Sequence, residues 1–183
     1  MTSLEFHLSD EAGQAKLLNI LTKSFRTSRE IVILCIGTDR SPGDSLGPLV
    51  GTFLSEMYVD AHVYGTLNKP VHAANLTEVY DMVLRRHPNA YILAIDACLG
   101  KLETVENIIF RSKPLEPGLA LKKSLPAVGH ASLMGIVNVG GYMEYLVLQN
   151  TRMAITYRLA RVISGIIAQA IIARVSLQCV AIN

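Results

Sequence analysis

Ile31-Val32-Ile33-Leu34-Cys35-Ile36-Gly37 is apolar at every position up to the glycine that closes it. A strand with one wet face alternates apolar and polar side chains. An unbroken apolar run stopped by Gly instead describes a parallel strand covered on both faces. Tyr91-Ile92-Leu93-Ala94-Ile95-Asp96 repeats the pattern and ends on an acid. Around these two runs the spacing changes to that of amphipathic helices: Ala12 to Phe25, Leu46 to Tyr58, and Asn75 to Arg86, the last stopped by Pro88-Asn89. Ala61 to Thr66 reads as a short strand between the second and third helices. Strands alternating with helices of this length imply right-handed crossovers. The expected fold is a single three-layer α/β domain, a mostly parallel sheet with helices on both faces and a core over about 12–174. Further along, Glu106 to Arg111 suits an edge or antiparallel strand, and Ser112 to Ser132, with three of the seven prolines, a long loop. Gly135 to Val139 reads as a short strand, and Glu144 to Arg174 as helix in two pieces broken near Asn150-Thr151. The tail from Ser176 to Asn183 reads as an edge strand or a frayed end.

Composition narrows the class. The 183 residues are 50% hydrophobic and 17% charged, against about 25% charged in an ordinary domain. That excludes disorder and raises the question of a membrane span. The strongest candidate, Val162 to Ala173, is only 12 residues long between Arg161 and Arg174, where a span needs about 20. The same helix either packs in the core or offers an apolar face to a second copy, so a homo-oligomer, most simply a dimer, is expected. Acids at Glu5, Asp10 and Glu11 do not suit a signal peptide. A net charge of +2 is too balanced for a nucleic-acid binder. Of three cysteines, Cys35 and Cys98 lie in or beside apolar runs as small buried thiols, which suits the cytoplasm.

In an open α/β sheet, ligands bind beyond the carboxyl ends of the strands. Two of the six aspartates fall there: Asp44, in the loop from the first strand to its helix, and Asp96, closing the second. Each has a plainer reading. Asp before a helix often caps it. A lone acid after an apolar strand is harder to dismiss, because its burial without a partner is costly. Converging, the two carboxylates can share a proton, act as an acid–base pair, or hold a divalent cation. Gly37 and Gly43 give the intervening loop its turns and let a peptide approach, and Asp39 lies between them. His130, in the loop before a later strand, is either an ordinary loop residue or one that reaches the same edge. His62, His72 and His87 read as surface or helix-flank residues.

Other motifs fail. Gly37 to Ser45 looks like a phosphate loop, but its glycines are wrongly spaced and Asp44 stands where lysine belongs. Gly43-Asp44-Ser45-Leu46-Gly47 fits both a nucleophile elbow and the GDSL hydrolase signature, yet the six residues Thr38 to Gly43 intervene after the strand's closing Gly37, and no Asp-x-x-His follows near the C-terminus. Cys98 as a nucleophile lacks an evident partner.

The segments Ile36-Gly37-Thr38-Asp39-Arg40-Ser41-Pro42-Gly43-Asp44-Ser45-Leu46-Gly47-Pro48, Ala94-Ile95-Asp96-Ala97-Cys98-Leu99-Gly100, and Gly135 to Asn138 continued by Val147 to Arg152 resemble, in order, the motifs of the YyaC-type sporulation proteins of spore-forming Firmicutes. The resemblance runs from about Ile31 to Arg174. That family is similar to the germination protease and to the hydrogenase-maturation endopeptidases, with a shared sheet of phosphorylase/hydrolase type. The resemblance implies a peptidase acting on a peptide or small spore protein in the cytoplasm of a spore-former, with Asp44 and Asp96 catalytic. A metal-assisted variant would add His130 to Asp44 and Asp96 as ligands of a divalent ion. A non-catalytic module that binds a peptide or partner in the same cleft is the alternative. Neither a membrane nor a nucleic acid is implied as partner.

Overall fold

The computed structural model describes residues 2–28, 30–117 and 126–180, the last six of these as backbone only. The six strands are β1 (Ser3–His7), β2 (Ile31–Cys35), β3 (His62–Tyr64), β4 (Tyr91–Gly100), β5 (Asn107–Arg111) and β6 (Ala131–Val139). They form one sheet in the order β1-β5-β6-β4-β2-β3. β3, β2, β4 and β6 run parallel, while β5 and β1 close the other side antiparallel. The five helices are α1 (Glu11–Arg26), α2 (Leu46–Glu56), α3 (Leu76–Arg86), α4 (Glu144–Gln149) and α5 (Met153–Val180).

The apolar runs become the inner strands because both of their faces are covered. All of β2 is buried, its odd residues packing with α1, α2 and α5 and its even residues under α3. The two faces are covered unequally. One carries three helices; the other carries α3 and the short segments that meet at the Leu115–Val128 bridge. The fold is thus a three-layer α/β fold, as the sequence implies.

α5 is long and apolar enough to cross a membrane by length and composition, with a mean hydropathy of 1.4 over Met153–Arg174. Its Leu159, Ile163, Ile167 and Ile171 are nevertheless at most 1% exposed, packed against α1 and α2. It is a core helix, so most of the surface considered for a dimer contact lies inside the chain; Ile172 stays outside.

Four expectations change. β1 lies ahead of the core expected over about 12–174, and only Phe6 of Ser3–His7 is buried. β4 and β6 are longer than their apolar runs, and β6 begins at Ala131 rather than Gly135. The segment from Ser176 to Val180 continues α5 as helix instead of forming an edge strand; 181–183 lie outside the described residues. In the long loop, 118–125 also lie outside them.

Strand order fixes where a ligand would sit. β2 leads through α2 to β3 on one side, and β4 leads through β5 to β6 on the other. The order therefore reverses between β2 and β4, and the crevice at their carboxyl ends is the expected site.

Candidate functional site

β2 pairs with β4 only as far as Cys35 and Ile95. Ile36 adds one more bond, its N–H donating to the Ile95 carbonyl at 2.8 Å, and Gly37 then turns the chain away. Gly37 is required there. Its φ is +139°, and a Cβ would lie 2.0 Å from the Asp44 carbonyl oxygen. Without that atom the loop closes on itself, the Thr38 N–H donating to the Asp44 carbonyl at 3.0 Å. Gly43 is also buried, against Leu148 and Thr151, where a Cβ would come within 2.9 Å. Both glycines are therefore required by chain-on-chain packing.

The loop returns through a short 3-10 turn, Gly43–Ser45, which packs on β4 and leads into α2. That turn carries Asp44, half-buried and within electrostatic reach of Asp96. α2 has no side-chain cap, so Asp44 is not spent on capping. Burial pushes the Asp44 carboxyl up to about 6, offset in part by the Thr38 backbone N–H.

Asp96 sits on β4, level with the end of β2. Ile95 faces β2 through its backbone, so by the period of two Ala97 faces the same side, where β2 has already stopped. The Ala97 N–H donates instead to Asp96 Oδ1 at 2.8 Å. Asp96 is held well above the usual carboxylate range, first by burial, then by the negative charge of Asp44. The two aspartates thus share one electrostatic environment, as a coupled pair.

The remaining residues divide. Asp39 is exposed at the loop tip, where the Thr38 hydroxyl lies 3.5 Å from its Oδ1. Ser45 is 1% exposed and donates its hydroxyl to the Pro42 carbonyl at 2.7 Å, a buried side chain and not a nucleophile. Burial first, then the Asp96 charge, pushes the Cys98 thiol up to about 12, which keeps it protonated and unreactive.

His130 does not reach this edge. It immediately precedes β6, whose early start at Ala131 pairs with Leu93 and places His130 at the amino end of β4. There its Nδ1 accepts from the Ile92 N–H at 3.0 Å and its ring stacks on Tyr91. Four residues of strand, about 13 Å, separate that level from Asp96. Among the described residues no third His, Cys, Asp or Glu joins Asp44 and Asp96 at metal-ligand range. The donor set does not fit the three-ligand metal site.

Sequence reasoning missed the wall of the crevice. Where β6 ends, Asn138, Val139, Tyr142, Met143, Leu146 and Val147 line an apolar cleft of about 570 Å³. α4, which supplies part of it, packs on the turn that carries Asp44. Its signal in the sequence was the cluster Tyr142, Met143, Tyr145 and Leu146, exposed apolar side chains at the start of the short helix α4.

The chain matches, over residues 5–166, the model of a family described as a protein of unknown function, DUF1256. It is 45% identical over 159 residues to the uncharacterized protein YyaC of Bacillus subtilis (strain 168), covering 85% of this chain and 78% of that one. Among solved structures, the NiFe hydrogenase maturation protease HycI from Thermococcus kodakarensis KOD1 aligns with a TM-score of 0.48 at 16% identity, over 81% of this chain and 98% of that one. That structural likeness carries no argument about the site. The family model and the identity to YyaC do settle membership: the chain belongs to the DUF1256 family, the YyaC-type family its motifs resemble.

Proposed function

We propose that the protein hydrolyses a peptide bond with Asp44 and Asp96 as a general base and general acid. The observation that carries this reading is the pair of aspartates at the topological switch point, both carboxyls raised and Asp96 further by the charge of Asp44. In this reading Asp44, raised to about 6, is the base, and Asp96, held well above the usual carboxylate range by burial and by the Asp44 charge, is the acid. Asp44 would take a proton from water as the oxygen attacks the scissile carbonyl, and Asp96 would donate its proton to the leaving amide nitrogen. Proton transfer of this kind contributes roughly 10²–10⁴-fold in rate when the groups are well placed.

An extended peptide suits the surroundings. Beyond Ile95, β4 has β6 on one side only, so its backbone from Ala97 toward Gly100 faces the crevice without β2. A substrate strand would find main-chain partners there, and the apolar cleft beside α4 would take a hydrophobic side chain. The YyaC-type resemblance adds the substrate class, a peptide or small protein of the spore, and the cytoplasm as its setting.

Incubation of wild type, Asp44→Asn and Asp96→Asn with small spore proteins, read by mass spectrometry for new termini, tests this. Expected are new termini with wild type and at least about a hundredfold loss in each variant with the fold retained. Cleavage retained in both variants removes the aspartate pair. Binding without new termini makes the crevice a peptide-binding module.

A further inference from the structure

At the opposite edge of the sheet, three residues from separate segments meet. Glu30 precedes β2, His62 opens β3, and His87 closes α3 before β4. In a parallel sheet all three positions lie at the amino end. One ligand atom from each falls within 4.8 Å of the other two.

Glu30 and His87 form a long contact whose spacing also suits two ligands of one ion. Glu30 Oε2 stands 3.3 Å from His87 Nδ1. Charge-assisted N–H···O bonds draw in to about 2.7–2.9 Å. Two donors bound at about 2.0–2.1 Å to one tetrahedral ion stand about 3.3 Å apart. His87 is only 9% exposed, and its Nε2 lies 2.9 Å from the Tyr64 hydroxyl. A ligating histidine that gives its other N–H to a fixed oxygen is the usual outer-shell arrangement, and it leaves the Nδ1 lone pair facing Glu30. The His62 ring lies against His87 with centroids 4.1 Å apart and tilted by 30°. Among the described residues neither ring nitrogen of His62 has a hydrogen-bond partner. Being exposed, His62 can turn a ring nitrogen onto an ion. Beside the cluster, a cleft of about 200 Å³ lined by Glu30, Asp60, His62 and Arg174 leaves room for a water as fourth ligand.

We propose that Glu30, His62 and His87 form a binding site for a borderline divalent ion, zinc first, which clips the three-residue edge strand β3 to the ends of β2 and α3. Two imidazoles and one carboxylate suit zinc, whereas calcium and magnesium prefer oxygen ligands throughout. The site is separate from the aspartate pair, at the other end of β2 and β4, and does not depend on that pair's role.

The test is zinc titration of the full chain without an affinity tag, by calorimetry, with metal content measured after gel filtration. Wild type and the Asp44→Asn/Asp96→Asn double variant are expected to take up one zinc per chain with equal Kd. His62→Ala, which changes an exposed side chain and so leaves the fold intact by circular dichroism, is expected to weaken binding at least a hundredfold. Tyr64→Phe, acting through His87, is expected to weaken it by about 10–100-fold. No stoichiometric zinc in wild type, uptake that His62→Ala leaves unchanged, or uptake lost in the double aspartate variant would each overturn the proposal.

Discussion

Asp44 and Asp96 are the residues on which most depends, and their protonation has a measurable signature. Asp44 rises from 3.8 to about 6 on folding, so the folded chain resists its ionisation. Below about pH 4 the carboxyl is neutral in both states and costs nothing. Between pH 4 and 6 the unfolded chain ionises first, so this group subtracts stability as pH rises, levelling off above about 6. Asp44→Asn removes that loss. Its stability relative to wild type should grow across this window, toward a ceiling of about 3 kcal/mol at 1.36 kcal/mol per unit, in urea melts at pH 4, 5, 6 and 7. The same variant should lower the Asp96 titration seen by carbon NMR without returning it to the ordinary range, because burial remains when the neighbouring charge is gone. An unmoved Asp96 would mean that the two carboxylates do not face each other. Asp44 was legible in the sequence as a loop residue just past a strand end. Asp96 reads there as closing its strand, but β4 runs on to Gly100, and Asp96 meets the crevice because β2 stops level with it. The place of His130 was not legible. It depends on where β6 begins, and Ala131-Ser132 resembles loop as much as strand.

The elements that hold these residues depend on two kinds of glycine. Gly37 sits at φ +139° with the Asp44 carbonyl where its Cβ would be, whereas Gly165, inside α5, would place a Cβ in open space. Gly37→Ala should therefore destabilise by at least about 2 kcal/mol, while Gly165→Ala should stabilise by roughly 0.5–1 kcal/mol. Chemical denaturation of both variants separates a backbone requirement from helix propensity; equal effects would contradict it. The long apolar runs and helical faces were readable because burial on both sides leaves a pattern in one strand alone. β1 left none: Ser-Leu-Glu-Phe-His buries one side chain, and what makes it a strand is hydrogen bonding to β5, more than a hundred residues away. Likewise Glu30, His62 and His87 stand at unrelated spacings, and only the parallel topology shows that the starts of β2 and β3 and the end of α3 are neighbours.

The whole molecule is lopsided, with three helices on one face of the sheet and α3 nearly alone on the other. Leu21 in α1 and Leu76 in α3 are both 0% exposed. Each Leu→Ala change should cost about 2–5 kcal/mol, with Leu21 toward the upper end, because a cavity among three packed helices collapses less readily than one under a single helix and loops. Urea unfolding of the two variants measures the difference, and a larger loss at Leu76 would show the thinner layer to be the stiffer one. The composition follows from the same layering: strands buried on both sides, and helices that bury nearly as much, leave little surface that needs charge. β1 adds a colloidal consequence. Beneath it runs Asn107-Ile108-Ile109-Phe110-Arg111, whose three central side chains are buried and whose outer backbone edge is occupied by β1 alone. An unpaired edge of that composition is a template for a second chain. β1 thus acts as a guard against self-association, and its loss would open the β5 edge to a second chain.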